Sequence, residues 1–251
     1  MKKLMQMLRD NSAGGERKPL NVVRAEGSND ATLYVYDVID AYWGVNAQDM
    51  AKAIAGMDAS TTLHLRINSP GGDVFEARAI AAALRGFGGK TVAHIDALAA
   101  SAATTIALAC QEVEISDGGF FMIHNAWTYA YGNKDDLAET ISLLEKIDAG
   151  IVADYARRTG KTSDEISAWM NAETWFTAQE AIDNGFADRM APEAEKAKNA
   201  TADKAWNLAA FNNAPKALTE PPPKSAPEVD PEQLAAAVAN RTRRLRLLEL
   251  A

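Results

Sequence analysis

Ser101 stands where the strand-like run KTVAHIDAL (90–98) gives way, through Ala99 and Ala100, to the alanine-rich SAATTIALAC (101–110). A hydroxyl presented at a helix N-terminus sits where the macrodipole favours developing negative charge. The N–H of Ala102 would have no intrahelical partner there, so it could donate to an oxyanion. Chemistry of this kind is nucleophilic acyl transfer. Serine is equally a favoured N-cap, and no GxSxG elbow surrounds this one. A second backbone donor could come from Gly71 or Gly72 in the turn SPGG (69–72), because glycine lets a substrate approach the main chain closely. An ordinary strand-to-helix turn uses the same residues.

A serine nucleophile needs a base, and the chain has only 3 histidines, which narrows the search. His64 and His94 lie inside expected strands between apolar neighbours. His124 ends the apolar run GFFMI, at the rim of a core, where an imidazole can reach a neighbouring hydroxyl. The residues alone leave His94 and His124 both open. An orienting carboxylate could be Asp96, Asp117 or Glu173, the last just ahead of Trp175 and Phe176. Cys110 closes an apolar helix and reads as core packing. No HExxH or paired cysteine and histidine ligands are present, and no P-loop. The pattern therefore calls for no cofactor and no metal, and any ATP dependence would come from a partner.

Strands and helices alternate around these residues, which gives an α/β class. Strands are expected at 32–39, 61–68, 90–98, 113–116 and 119–124, with order beginning near Thr32. Helices are expected at 46–57, 74–84, 101–110, 135–158, 164–170 and 178–184. In the longest, Leu137, Ile141, Leu144, Ile147, Ile151 and Tyr155 make one apolar stripe, and Gly160 follows as a C-cap. That stripe suits a contact between subunits and packing within one subunit equally well. Residues 1–25 read as a flexible lead and 26–192 as the catalytic domain. Five of the 9 prolines fall between 221 and 231, so 193–230 reads as a stiff, solvated linker. The arginine-bearing 231–251 could form a terminal helix, either frayed or docking a partner.

A net charge of −8 argues against a nucleic-acid binder. No stretch approaches the roughly 20 apolar residues that span a bilayer. Charges at Arg9, Asp10, Glu16 and Arg17 interrupt the N-terminal segment before it could serve as a signal peptide. A single cysteine rules out an intramolecular disulfide and fits a reducing cytoplasm.

The series INSPGGDV (67–74), ALAASAA (97–103), FMIH (121–124) and ETWFTAQEAIDNGFAD (173–188) resembles the Clp protease proteolytic subunit over roughly residues 32–190. The resemblance implies a crotonase-like spiral of ββα units that assembles into a homo-oligomeric ring and cleaves protein or peptide substrates. It implies Ser101 as nucleophile and His124 as base. It also implies oxyanion donors at Ala102 and at Gly71 or Gly72, and Glu173 where the family carries an aspartate. AASAAT in place of the family's usual AASMGA, the WGV segment (43–45), ETW (173–175) and the extended tail look more like the phage and prophage branch. Those members are head maturation proteases acting on scaffold and capsid proteins. The alternatives are a housekeeping-type Clp peptidase working with an ATPase unfoldase, and a catalytically silent assembly or scaffold protein on the same fold. An acyl-CoA hydratase or isomerase would share the fold without needing the serine and histidine.

Overall fold

A computed structural model describes residues 6, 9–11, 20, 22–24, 27–192 and 206–219. Along the chain run β1 (Val22–Arg24), β2 (Asp30–Val35), α1 (Ala47–Ala55), β3 (Thr62–Ser69) and α2 (Val74–Gly86). Next come β4 (Lys90–Ala100), α3 (Ala102–Ala107), β5 (Glu112–Ile115), β6 (Phe120–Ile123) and α4 (Lys134–Thr159). The remaining elements are α5 (Ser163–Asn171), β7 (Thr174–Thr177), α6 (Ala178–Asp183), β8 (Arg189–Met190) and α7 (Lys216–Thr219).

The α/β class expected from the alternation is the one observed. The strands form one mostly parallel sheet in the order β1-β2-β3-β4-β5-β8, with β6 and β7 branching from it. Period-two patterning explains how the central strands sit. In β3, Leu63, Leu65, Ile67 and Ser69 are buried, while His64, Arg66 and Asn68 alternate with them on the other face. The branch is what builds the site. The first part of β4, Val92 to Ile95, pairs with β5, and its last part, Leu98 to Ala100, pairs with β6. The end of β4 thereby lies beside the end of β6, which brings residue 101 next to residue 124.

Several expectations change. The sheet begins at Val22, ahead of Thr32, because β1 adds antiparallel to β2 and pairs its edge. Ala99 and Ala100 are strand, paired with Phe121 and Met122, so the expected two-residue turn shrinks to Ser101 alone. The helix expected over 101–110 is shorter, because the chain leaves α3 in a turn through Leu108 and Ala109. Gly160 does cap α4 in the left-handed conformation, φ 72°. The apolar stripe of α4 is split: Ile151 and Tyr155 are buried, whereas Leu137 is 40% and Ile141 57% exposed.

Part of the expected linker is packed. Leu208 and Phe211 are buried against Leu98, Ala100 and Met122 in a second, smaller cluster, with Trp206 and Trp175 at its edge. Two large apolar side chains outweigh the polar and proline-rich character of the wider segment. The tail over 231–251, the rest of 193–230 and most of the lead lie outside the described residues. No helix among the described residues is long and apolar enough to cross a membrane.

Candidate active site

Ser101 is the single residue between β4 and α3, and it turns the chain with φ 54° and ψ −124°. Such backbone costs a non-glycine residue about 1–3 kcal/mol and persists only where its surroundings enforce it. Here the Ser101 N–H donates to the Met122 carbonyl at 2.9 Å. The Ser101 carbonyl accepts from Thr104 N at 3.0 Å and from Thr104 Oγ1 at 2.6 Å. Thr104 Oγ1 also meets the buried Tyr155 hydroxyl, tying α3 to α4. The serine side chain makes no capping bond. Its Oγ lies 2.7 Å from His124 Nε2 instead.

The glycine turn backs onto this bend. A Cβ on Gly71 would sit 2.5 Å from the Ala100 carbonyl oxygen and 2.9 Å from both Ala102 N and Ser101 Cβ. Its φ of +90° disfavours any side chain as well. Gly71 N–H is committed to Ser69 Oγ at 3.1 Å, and its carbonyl accepts from Ile39 N. Gly72 and Ala102, not Gly71, line the cavity beside Ser101 and His124.

His124 follows directly on β6. Burial pushes its imidazole down to about 4, with the Glu173 charge acting in the opposite direction. Near neutral pH the ring is therefore uncharged, and Nε2 can accept the serine proton. Of the two histidines left open, His124 is the one beside Ser101, and His94 lies in a different network. His94 Nε2 faces His64 Nδ1 at 2.9 Å and His94 Nδ1 faces Glu114 Oε2 at 2.9 Å, in a network continued by Arg189.

Among the carboxylates, Asp96 is bound by Arg66 and the Tyr36 hydroxyl, and Asp117 is exposed in the turn between β5 and β6. Glu173 is the one whose charge reaches His124. Like Ser101 it has a positive φ, 50°, and these two are the only such non-glycine residues among those described. Its oxygens accept from Asn212 N at 2.9 Å, Asn213 N at 2.6 Å and Trp175 Nε1 at 3.3 Å. Among the described residues no hydrogen bond joins it to His124. Sequence reasoning missed the other participants in this arrangement, Phe211, Asn212 and Asn213. The spacing Trp206-x-Leu208-x-x-Phe211 was the available signal, three large apolar residues in an otherwise polar stretch.

Beside the pair opens a cavity of about 270 Å³, walled on one side by Leu144, Ile147, Ile151 and Tyr155 of α4. Phe75 and Trp127 also line it. A strained serine bonded to a neutral histidine, backed by a glycine turn and opening on an apolar cavity, has the parts of an acyl-transfer site.

The family model for Clp protease matches residues 27–194, well over half of the chain. The chain belongs to the Clp protease family. Its family is one of serine proteases that act on proteins and assemble as rings, and the mostly parallel sheet is consistent with the fold of that family. The proteolytic subunit 1 of the ATP-dependent Clp protease of Leifsonia xyli subsp. xyli is 27% identical over 150 residues, which cover 58% of this chain and 76% of that protein. The ATP-dependent Clp protease proteolytic subunit of Bacteroides fragilis is 24% identical over 181 residues, 70% of this chain and 87% of that protein. Subunit 2 of Tropheryma whipplei is 26% identical over 138 residues, 54% of this chain and 77% of that protein.

Proposed function

We propose that this Clp-family chain is a serine endopeptidase in which Ser101 is the nucleophile and His124 the general base. The 2.7 Å contact between Ser101 Oγ and His124 Nε2 carries the reading. His124 takes the serine proton as Oγ attacks a peptide carbonyl, then gives it to the leaving amine, and water resolves the acyl-enzyme. The oxyanion is held by the N–H groups of Gly72 and Ala102, since Gly71 already donates to Ser69. Glu173 stabilises the imidazolium through its charge and not through a direct bond. An apolar side chain of the substrate fits the cavity beside α4. The reaction as proposed uses no cofactor and no metal.

The relatives' names favour a peptidase subunit that works with an ATPase unfoldase over the capsid-processing role suggested by the sequence departures. Head maturation of phage scaffold and capsid proteins is kept as a second reading, on Glu173, the WGV segment and the packed residues 206–213. A cytoplasmic setting is part of the proposal. It rests on the lone cysteine, Cys110, which leaves the chain without an intramolecular disulfide.

The test is labelling by a fluorophosphonate probe, read as intact mass, on wild type, Ser101→Ala and His124→Ala. Wild type is expected to gain one adduct and both variants none. Absence of an adduct on correctly assembled wild type would sink the peptidase reading and leave the silent scaffold. Turnover of a thioester but no peptide would instead favour the hydratase class. Cleavage of an unfolded protein only when an unfoldase is added separates the ATPase-partnered reading from head maturation.

A further inference from the structure

Residues 206–213 pack and hydrogen-bond against the rest of the chain, and three of these contacts each adjoin one part of the chemistry. Trp206 Nε1 donates to Asn68 Oδ1 at 2.9 Å, at the strand end that leads into the glycine turn. Phe211 is buried and sets its ring against His124, centroids 5.4 Å apart and planes at 76°. The Asn212 and Asn213 amides hold the two oxygens of Glu173, and Asn213 Nδ2 donates to the Ala172 carbonyl at 2.8 Å. No residue of this segment lines the cavity beside Ser101, so substrate access stays open.

A catalytic imidazole needs its ring orientation fixed, and in a full triad the carboxylate does this through Nδ1. Here Glu173 is turned towards Asn212 and Asn213. The aromatic ring packed against the imidazole is that of Phe211. We propose that residues 206–213 form a strap that positions the base and the acid, Phe211 by confining the His124 ring and the Asn212 and Asn213 amides by fixing the Glu173 carboxylate. These are positioning residues, and the proposal rests on the peptidase reading of Ser101 and His124. The strap also helps Glu173 keep its positive φ: two backbone N–H donors on its carboxylate and the Asn213 side-chain bond to Ala172 hold residues 172 and 173 in place, beside Trp175 of β7.

Two readouts on the full chain test it: the rate of Ser101 labelling against pH, and the NMR titration of His124, simple to assign among 3 histidines. Phe211→Ala is expected to slow labelling about tenfold, the cost of a loosened reacting geometry. It should also raise the His124 midpoint from about 4 towards the ordinary value of 6.5, because water reaches the ring. Phe211→Leu keeps the apolar bulk and should retain most of both properties. That conservative variant, with thermal melts of each protein, separates positioning from misfolding. Asn213→Pro removes both the backbone N–H on Glu173 and the side-chain donor on Ala172, and is expected to slow labelling and lower the midpoint as the carboxylate charge drifts away. Unchanged rate and midpoint in both Phe211→Ala and Asn213→Pro overturn the proposal. Faster labelling in Asn213→Pro overturns it too, because the strap would then be a restraint on Glu173. If wild type fails to label, the peptidase reading falls, and the titration alone decides whether the strap confines the imidazole.

Discussion

At the scale of the residue, the site depends on a contact between two backbone bends. Gly71 lies so close to Ala100 and Ser101 that a methyl group there would overlap backbone atoms that cannot yield without moving the nucleophile. Gly71→Ala is therefore expected to lower the labelling rate of Ser101 by about a hundredfold, the scale set by displacing a reacting atom by about an ångström. Labelling kinetics beside a denaturant melt check this, and wild-type kinetics would show that the turn is not coupled to the serine. That Ser101 and His124 would stand together was legible from the order of the motifs, because short segments at strand ends carried them. The choice between His94 and His124 was not legible from residue types. Both end or interrupt apolar strands, and only the branching of β4 shows which one meets the serine. Glu173 was a candidate by position, while two of the three groups that bind its oxygens, the N–H groups of Asn212 and Asn213, lie about forty residues away in sequence and leave no local trace.

At the scale of the element, α3 is short, and it depends on α4 for its placement. Thr104 bonds the Ser101 carbonyl on one side and the Tyr155 hydroxyl on the other, so one side chain couples the serine bend to the helix that walls the cavity. Thr104→Val removes both bonds at nearly constant volume and leaves a buried tyrosine hydroxyl without that partner. A loss of about 1–3 kcal/mol in urea unfolding is expected, with slower labelling of Ser101. Wild-type stability would mean that the hydroxyl finds another partner. Strands and helices were well placed by their periodicities, and most boundaries moved by only a residue or two. The errors fell where tertiary pairing overrode local composition. Ala99 and Ala100 look like a turn because they are small, but β6 pairs with them and keeps them extended. The segment 206–213 looks like linker because prolines surround it, but the apolar face of Leu98, Ala100 and Met122 gives Leu208 and Phe211 somewhere to bury.

At the scale of the whole molecule, the family's ring assembly needs surfaces that a single subunit leaves uncovered. The N-terminal half of α4 supplies one, since Leu137, Ile141 and Leu143 are 40%, 57% and 50% exposed, and Tyr131 just before the helix is 92% exposed. Large apolar side chains gathered on one element mark a contact better than scattered ones do. Ile141→Asp is expected to shift the chain from ring to smaller species in light scattering while leaving its far-UV circular dichroism unchanged. An intact ring in that variant would place the contact elsewhere. The sequence showed the stripe but could not divide it, because periodicity marks an apolar face without saying how far along the helix the fold covers it.

The strap has a consequence for the order in which a subunit matures. Synthesis runs from the N-terminus, so Ser101 and His124, and then Glu173, leave the ribosome before Trp206 and Phe211 do. During that interval the growing chain holds a nucleophile and its base without the wall that confines the base. On the positioning reading, the peptidase reaches full competence only after the rest of its site has been made. A chain cut short before residue 206 would fold around a weak site, and proteins nearby would be spared an active but unfinished protease.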